Sequence, residues 1–323
     1  MDGASRARGS LIGLATGDAV GTTLEFTHDP EPIDDMVGGG PFRLAPGQWT
    51  DDTSMALCLA VSLIERGGFD ARDQMDRYLR WYREGYLSST GRCFDIGNTT
   101  RAALDHFART GNPLAGSTDA RAAGNGSLMR LCPIPIRYHH DPEVAVALAG
   151  ESSRTTHAAL EAIDACRFYA ALIVGALAGV PREALLAPGW SPVPGLWERA
   201  PLAPEIARVA AGSYRGKPRA QIRSGGYVVE SLEAALWAFS QAEDFRHGCL
   251  LVVNLGHDAD TTGAIYGQLA GAHFGEGGIP AAWRAKLTMG DRIAALADEL
   301  FGGSAADLES RANRSTTRDT SAT

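Results

Sequence analysis

Two short acidic segments, widely separated in the chain, carry the residues best suited to bind hard divalent cations. The first is Thr50-Asp51-Asp52 and the second is Asp258-Ala259-Asp260-Thr261. Mg²⁺ and Mn²⁺ take several oxygen ligands in near-octahedral array, and carboxylates with threonine hydroxyls supply them. Two dense carboxylate groups brought together would repel each other unless a cation lay between them. The two segments therefore predict a two-metal site and a metal-dependent hydrolase.

Each acidic segment, taken alone, also fits a structural role. Threonine and aspartate are common N-cap residues, and acidic side chains in a first helical turn interact favourably with the helix dipole. Both segments lie at the start of a predicted helix, so helix capping is the alternative interpretation for either one. The presence of both segments in one chain favours the metal site.

The elements that must position these segments are predicted to be helices. Glycine recurs at four-residue spacing in two of them, as Gly13, Gly17 and Gly21 and again as Gly263, Gly267 and Gly271. Each set lies on one helix face and lets another backbone approach closely. Periodicity predicts helices over residues 10–24, 51–66, 72–85, 99–110, 158–178, 204–211, 225–240 and 244–256, and after Asp260. No segment alternates at period two with β-branched residues. The predicted fold class is all-α, a compact single-domain orthogonal helical bundle with the two-metal site between helix termini.

Composition also predicts where the folded domain begins and ends. The domain is expected to span residues 10–301. Residues 1–9 are polar and are expected to be flexible, and residues 302–323 contain little to bury and are expected to form a disordered tail. Residues 181–224 are rich in Pro, Gly and Ala, which predicts a long irregular connection.

Charge and cysteine content limit the function classes. The chain has 323 residues, a net charge of −8 and no long run of Lys or Arg, so no nucleic-acid partner is expected. Its five cysteines are scattered without a CxxC pair, which indicates free thiols in a reducing compartment. No signal peptide is visible, and the longest apolar run, residues 169–180, is too short to span a bilayer. We expect a cytoplasmic protein without an integral membrane segment, and a monomer by default.

Four further segments give the sequence a resemblance to a known family. They are Gly17-Asp18-Ala19-Val20-Gly21 with Glu25, Gly124-Asn125-Gly126-Ser127-Leu128-Met129-Arg130, Thr155-Thr156-His157, and Gly226-Tyr227-Val228-Val229. Together with the acidic segments, they resemble the ADP-ribosylglycohydrolase family over about residues 10–285. Within it, the dinitrogenase reductase-activating glycohydrolases look closest, because residues 93–101 are similar to a segment of those enzymes. The resemblance implies an all-helical fold and two Mg²⁺ or Mn²⁺ ions.

The resemblance also implies roles for individual residues. Glu25 would lie beside the metals and the scissile bond, where it could hold or deprotonate the attacking water, and Asp95 would face the leaving group. Residues 124–127 would cradle a diphosphate through backbone N–H groups. His157 and Tyr227 would lie near the ribose and adenine, Tyr227 by ring stacking. Without the resemblance, these would be interpreted as surface, turn, capping or core residues. The implied cradle and metal ligands are Gly124, Asn125, Gly126 and Ser127, and Thr50, Asp51, Asp52, Asp258, Asp260 and Thr261.

The implied reaction releases ADP-ribose from a modified protein by cleavage at C1″ of its terminal ribose. Arginine is the expected acceptor, and serine, threonine or O-acetyl-ADP-ribose are alternatives. A non-catalytic ADP-ribose-binding module would be expected to lose metal ligands, all of which are present. A diphosphate-dependent terpene enzyme would carry a DDxxD motif, whereas Met55 stands where its last aspartate would be. Cys93 and His257 have no base or further ligands beside them in sequence and are expected to be structural.

Overall fold

The computed structural model describes residues 1–303, and these residues form helices and isolated β-bridges but no β-strand. The all-α fold class predicted from the sequence is confirmed. The α-helices are α1 (Gly3–Gly21), α2 (Asp51–Arg66), α3 (Ala71–Glu84), α4 (Asn98–Thr110), α5 (Pro133–Arg137), α6 (Pro142–Arg154), α7 (Leu160–Leu177), α8 (Arg182–Leu185), α9 (Leu196–Arg199), α10 (Pro204–Ala210), α11 (Val228–Gln241), α12 (Phe245–Val253), α13 (Ala259–Phe274), α14 (Ala281–Lys286) and α15 (Gly290–Gly302). Short 3₁₀ helices span Thr22–Leu24, Ala120–Ala122, Arg219–Gln221 and Glu276–Gly278.

The two glycine sets face each other across an antiparallel pair formed by α1 and α13. A Cβ atom built at Gly13 would lie 2.2 Å from the carbonyl oxygen of Gly267, and one built at Gly263 would lie 2.4 Å from that of Gly17. No side chain fits at such distances, so glycine is required for the two backbones to touch. The close backbone approach predicted from the glycine spacing is confirmed. It brings the last turn of α1 against the first turn of α13.

Helix α13 lies at the centre of the described part of the chain. Its residues are buried from Ala259 to Ala272, so the helix has no solvent-facing side over that range. Helix α7 contacts it through Tyr169, whose hydroxyl donates to the carbonyl of Ile265. The first residues of α13 are therefore held by the core rather than by a surface loop.

Helix α1 begins earlier than its sequence pattern predicts. The Asp2 side chain accepts a hydrogen bond from the Ser5 N–H at 2.7 Å and caps the helix. Arg6 donates to the carbonyls of Ala272 and His273 at the end of α13, at 2.9 and 2.8 Å. Residues 3–9, expected to be flexible, are therefore helical, because a cap and a docking contact stabilise a segment with few apolar residues.

The other predicted helices are present, with small differences at their ends. The sequence pattern does not predict α5, α6, α14 and α15, or the short α8 and α9 within residues 181–224. Helix α6 nevertheless has two recognised start signals, the capping residue Asp141 and Pro142 in the first turn. Helix α15 buries Ile293 and Leu300, seven residues apart on one face.

The described residues pack around one main apolar core, in keeping with a single domain. The tail predicted over residues 302–323 lies outside the described residues except for Gly302 and Gly303, and Gly302 is the last residue of α15. Within residues 1–303, no helix combines the length and apolarity that a membrane crossing requires.

Candidate active site

The two acidic segments meet at the N-termini of α2 and α13. Thr50 is the N-cap residue of α2 and Asp258 is that of α13, yet neither side chain makes a capping hydrogen bond. The Thr50 hydroxyl lies 3.2 Å from a carboxylate oxygen of Asp260 and 3.3 Å from one of Asp52. Thr50 is thus oriented toward the other acidic residues, which favours the metal interpretation over the capping one.

Two more carboxylates join these residues from other parts of the chain. Oxygen atoms of Glu25, Asp95 and Asp260 lie within 4.8 Å of one another. Among the described residues, no Lys, Arg or His forms an ion pair with any carboxylate of this group. We call the carboxylates of Glu25, Asp51, Asp52, Asp95, Asp258 and Asp260 the acidic cluster.

The pKa values of the acidic cluster reflect the cost of burying so much negative charge. Burial, with repulsion from Asp95 and Asp258, raises the pKa of Glu25 to about 10. Burial likewise raises the pKa of Asp95 to about 7. The pKa values of Asp51 and Asp260 are raised well above the ordinary range by burial and then by repulsion from neighbouring carboxylates. A bound cation would reverse this penalty, because opposite charge favours the ionised forms.

The donor set fits a hard divalent cation. The atoms Glu25 Oε2 and Asp52 Oδ1 are buried and accept no hydrogen bond from the described residues. Buried polar atoms without partners are uncommon, and an ion is one explanation for them. Carboxylate and hydroxyl oxygens without any nitrogen or sulfur ligand are typical of Mg²⁺ and Mn²⁺ sites.

Asp18, which was not predicted as a site residue, holds the start of α2 in place. It is fully buried within the glycine face of α1. Its carboxylate accepts hydrogen bonds from the backbone N–H groups of Thr50 and Thr53, at 2.9 and 3.1 Å, and from both hydroxyls, at 3.0 and 2.6 Å. Burial raises the pKa of Asp18 to about 6, and these hydrogen bonds counteract the rise. The sequence signal was a lone carboxylate within an otherwise apolar helix face.

A backbone crossing joins the Glu25 segment to the Asp258 segment. The N–H of Phe26 donates to the carbonyl of His257 at 2.6 Å, and the N–H of His257 donates to that of Thr27 at 2.9 Å. Phe26 and His257 both have φ of 58°, a left-handed conformation that is unusual for residues other than glycine. Asp95 has φ of 56°. Such conformations cluster at functional sites, where the surrounding structure enforces them.

A cavity of about 600 Å³ opens onto the acidic cluster. The acidic residues form one wall, and the 124–126 loop with His157 forms another. The predicted site residues in its lining are Glu25, Asp51, Asp95, Gly124, Asn125, Gly126, His157, Asp258, Asp260 and Thr261.

Four predicted site residues do not line this cavity. Thr50 and Asp52 are buried and contact its acidic wall from within the protein. The Ser127 hydroxyl is buried and accepts a hydrogen bond from that of Ser153 at 2.8 Å. Tyr227 pairs with Gly124 through an isolated β-bridge, but its side chain lines a neighbouring cavity of about 460 Å³. Ring stacking on an adenine in the main cavity therefore stays a prediction for Tyr227.

The 124–127 loop is tied directly to the acidic wall. The Asn125 N–H donates to the Gly226 carbonyl at 3.1 Å, and its side-chain amide donates to a carboxylate oxygen of Asp258 at 2.7 Å. The N–H groups of Gly126 and Ser127 donate no hydrogen bond within the described residues. Gly126 lines the cavity, so its N–H is free to bind an anion there, whereas Ser127 is buried outside the lining.

Cys93 and His257, expected to be structural, differ in position. Cys93 is half-buried, and burial raises its pKa to about 11, so the thiol is protonated near neutral pH. His257 lines the cavity, and its ring packs edge-on against His28 with centroids 4.4 Å apart.

Comparison with known proteins agrees with this geometry. The chain is 48% identical over 297 residues to the ADP-ribosylarginine hydrolase Tri1 of Pseudomonas putida, covering 92% of this chain and 78% of that protein. It is 44% identical over 297 residues to the Tri1 of Serratia proteamaculans, covering 92% and 79%. It is 31% identical over 290 residues to the ADP-ribosyl-[dinitrogen reductase] glycohydrolase of Rhodospirillum rubrum, covering 88% and 90%. The likeness to the dinitrogenase reductase type, expected from residues 93–101 to be closest, is therefore weaker than that to the two arginine hydrolases.

Structure and family comparisons point the same way. A solved structure titled ADP-ribosylglycohydrolase-related protein complex matches with a TM-score of 0.82 and 45% sequence identity, covering 94% of this chain and 99% of that one. The family model described as ADP-ribosylglycohydrolase matches residues 1–309. The chain belongs to the ADP-ribosylglycohydrolase family.

Proposed function

We propose that this protein hydrolyses the N-glycosidic bond between C1″ of ADP-ribose and an arginine side chain of a modified protein. The observation that carries the proposal is the buried group of Glu25, Asp95 and Asp260 on the wall of a 600 Å³ cavity. A cavity of that size is typical of small-ligand sites. The two relatives named as ADP-ribosylarginine hydrolases support arginine as the acceptor.

We assign two divalent cations, Mg²⁺ or Mn²⁺, to the acidic wall. The free oxygens of Glu25 and Asp52 support this assignment, as does the group of Glu25, Asp95 and Asp260, which within residues 1–303 contains no His or Cys. Bound there, the cations would neutralise the carboxylates and polarise the ribose hydroxyls. The proposed ligands are Thr50, Asp51, Asp52, Asp258, Asp260 and Thr261.

We assign proton transfer to Glu25 and Asp95. Their closest carboxylate oxygens lie within 4.8 Å of each other. Both groups can therefore reach the same bound substrate. Glu25, ionised when the cations are bound, would take a proton from the attacking water as the new bond to C1″ forms. Asp95, whose pKa burial raises to about 7, would enter the step protonated and give its proton to the guanidine nitrogen as the C1″–N bond breaks.

The part of the cavity beside Phe26, where we place the acceptor side chain, suits a cationic, planar group. Phe26 follows Glu25, lines the cavity and has 65% of its surface exposed. Its ring packs edge-on against Phe42, with centroids 6.4 Å apart, and Phe42 packs against Phe94 at 5.2 Å. A guanidinium stacks on aromatic rings and is attracted to carboxylates, whereas a serine side chain does neither. The exposed ring beside the acidic cluster therefore supports an arginine acceptor.

We also propose that the protein works in the cytoplasm as a monomer. The five cysteines are free, and four of them are buried. Unpaired cysteines are typical of proteins in a reducing compartment.

A panel of defined substrates tests the proposed function. Peptides ADP-ribosylated on arginine or serine, and O-acetyl-ADP-ribose, would be incubated with the protein and Mg²⁺ or Mn²⁺, and released ADP-ribose would be measured. We expect release from the arginine peptide, its loss in Asp260→Ala, and its retention in the control Asp105→Ala, which changes an exposed residue of α4. Release from the serine peptide or the acetyl ester, but not from the arginine peptide, would contradict the choice of acceptor.

A further inference from the structure

Arg130 is a buried cation without an anionic partner. Only 1% of its surface is exposed, and no carboxylate among the described residues pairs with it. Its guanidinium lies over the ring of Tyr78, 4.7 Å from the centroid, and its Nε donates no hydrogen bond. Burying an unpaired charge is costly. Arg130 lies three residues after the 124–127 loop, where the N–H of Gly126 is free, and this position suggests a functional reason for the cost.

The guanidinium links that loop to His157. Its Nη1 donates to the carbonyl of Gly126 at 2.5 Å, and its Nη2 donates to the hydroxyl of Thr156 at 2.8 Å. The Thr156 oxygen then lies 2.9 Å from Nδ1 of His157. Arg130, Thr156 and His157 form one hydrogen-bonded chain, which we call the Arg130 relay.

The relay fixes which nitrogen of His157 carries the proton. Arginine can donate but not accept, so the Thr156 oxygen is the acceptor in that contact. Thr156 is fully buried, and among the described residues Nδ1 of His157 is the one acceptor within reach of its hydroxyl proton. If Nδ1 carried a proton instead, the Thr156 hydroxyl would be a buried donor without an acceptor, which costs about 1–3 kcal/mol. His157 is therefore protonated on Nε2.

The Nε2 atom faces the 124–126 loop. A Cβ atom built at Gly124 would lie 3.3 Å from it, and one built at Gly126 would lie 3.1 Å from it. Burial, with repulsion from Arg130, lowers the pKa of His157 to about 3, so the ring is neutral. His157 and Gly126 both line the cavity, and the Gly126 N–H donates no hydrogen bond within the described residues.

We infer that Arg130 and Thr156 are positioning residues that hold His157 as an Nε2–H donor to the diphosphate of the ligand. The inference rests on the proposed function, because it takes ADP-ribose as the ligand. The positive charge of Arg130 has no carboxylate partner and would complement the negative charge of the diphosphate. Arg130 is connected to the diphosphate side of the cavity through the carbonyl of Gly126 and through the relay. His157 then binds the anion by a fixed neutral donor, whose orientation does not depend on pH near neutrality.

A matched pair of variants at Thr156 tests the relay. Thr156→Val keeps the shape of the side chain and removes its hydroxyl, whereas Thr156→Ser keeps the hydroxyl. The ¹⁵N NMR spectrum of the imidazole ring reports which nitrogen of His157 is protonated, and a merely structural role for Thr156 would not change it. We expect the Nε2–H tautomer in the unmodified protein and in Thr156→Ser, and its partial or complete loss in Thr156→Val.

Ligand binding gives the second readout. By calorimetry, we expect Thr156→Val to weaken ADP-ribose binding about tenfold, with Thr156→Ser close to the unmodified protein. Adenosine, which has no diphosphate, should bind both variants equally. An Nδ1–H tautomer in the unmodified protein, or equal ADP-ribose affinity in Thr156→Val, would overturn the inference. Failure of the unmodified protein to bind ADP-ribose would instead overturn the proposed function and with it the assigned ligand, whereas the NMR result would still decide the relay.

Discussion

Replacing Gly21 with alanine tests whether the spacing of α1 and α13 sets the geometry of the acidic cluster. Gly21 is the last residue of α1 and has helical backbone angles, with φ of −70° and ψ of −34°, so the backbone itself permits alanine. The added Cβ would lie 2.2 Å from the carbonyl oxygen of Ala259 and 2.6 Å from the Cα of Asp260. The added methyl group would therefore displace the backbone of Asp260, a proposed metal ligand.

The size of the effect follows from these distances. A carbon and a carbonyl oxygen approach to about 3.3 Å in close contacts, so the helix ends must separate by about 1 Å. Overpacking of this kind costs about 1–3 kcal/mol of unfolding free energy, whereas alanine gains about 0.5–1 kcal/mol over glycine in a helix. The clash outweighs the gain, and we expect a net loss of about 1–2 kcal/mol. A displacement of about 1 Å at catalytic groups lowers turnover by about a hundredfold.

Gly9→Ala provides the matched control. Its Cβ would lie 2.2 Å from the carbonyl oxygen of Gly271, so the same clash arises at the other end of the same helix pair. Urea unfolding of both variants and kcat on an ADP-ribosylated arginine peptide would be measured. We expect similar losses of stability but a large loss of kcat in Gly21→Ala alone. Equal kcat values for the two variants would refute the claim that this helix contact sets the site geometry.

Three further predictions follow from individual contacts. Asp18→Asn exchanges one acceptor oxygen for a donor amide that would face buried N–H and hydroxyl donors. Urea unfolding should show a loss of about 2–4 kcal/mol in the free energy of unfolding, and calorimetry should show a weaker affinity for Mn²⁺. The control Asp105→Asn, at an exposed position, should change neither. Phe26→Ala should raise KM for the ADP-ribosylated arginine peptide several-fold without changing the affinity for ADP-ribose. The control is Leu160→Ala, which changes an apolar residue that is 63% exposed and does not line the cavity, and it should leave both quantities unchanged. Cys93→Ser should keep full turnover, and a large loss would contradict the structural role of that thiol, whose pKa burial raises to about 11.

The glycine spacing shows how far the fold could be predicted from the sequence. A four-residue repeat defines a helix face that tolerates another backbone, but periodicity does not identify the partner of that face. The pairing of Gly13 with Gly267 and of Gly17 with Gly263 therefore emerges from the structure alone. Helices α6 and α15 could have been predicted from their start signals and apolar spacing. Residues 3–9 could not, because their order depends on contacts with the distant end of α13.

Site residues could be predicted from the sequence where several metal-binding side chains occur within a few positions of one another. The two acidic segments combine carboxylates with threonines within a few residues, and the structure brings them together. Asp18 was missed because its role depends on two threonines more than thirty positions along the chain, which its sequence neighbours do not indicate. Tyr227 was placed by resemblance, which does not fix the direction of a side chain. Its backbone bridges to Gly124, but the residue lines a neighbouring cavity.

The central claim is that divalent cations held by the acidic cluster are required for cleavage of ADP-ribosylarginine. Protein stripped with a chelator would be titrated with Mn²⁺ in a calorimeter, and release of ADP-ribose from the arginine peptide would be measured at each point. We predict two bound ions per chain, turnover that rises with their occupancy, and loss of both in Asp260→Ala. Full turnover by the chelator-treated protein, or by Asp260→Ala, would contradict the claim.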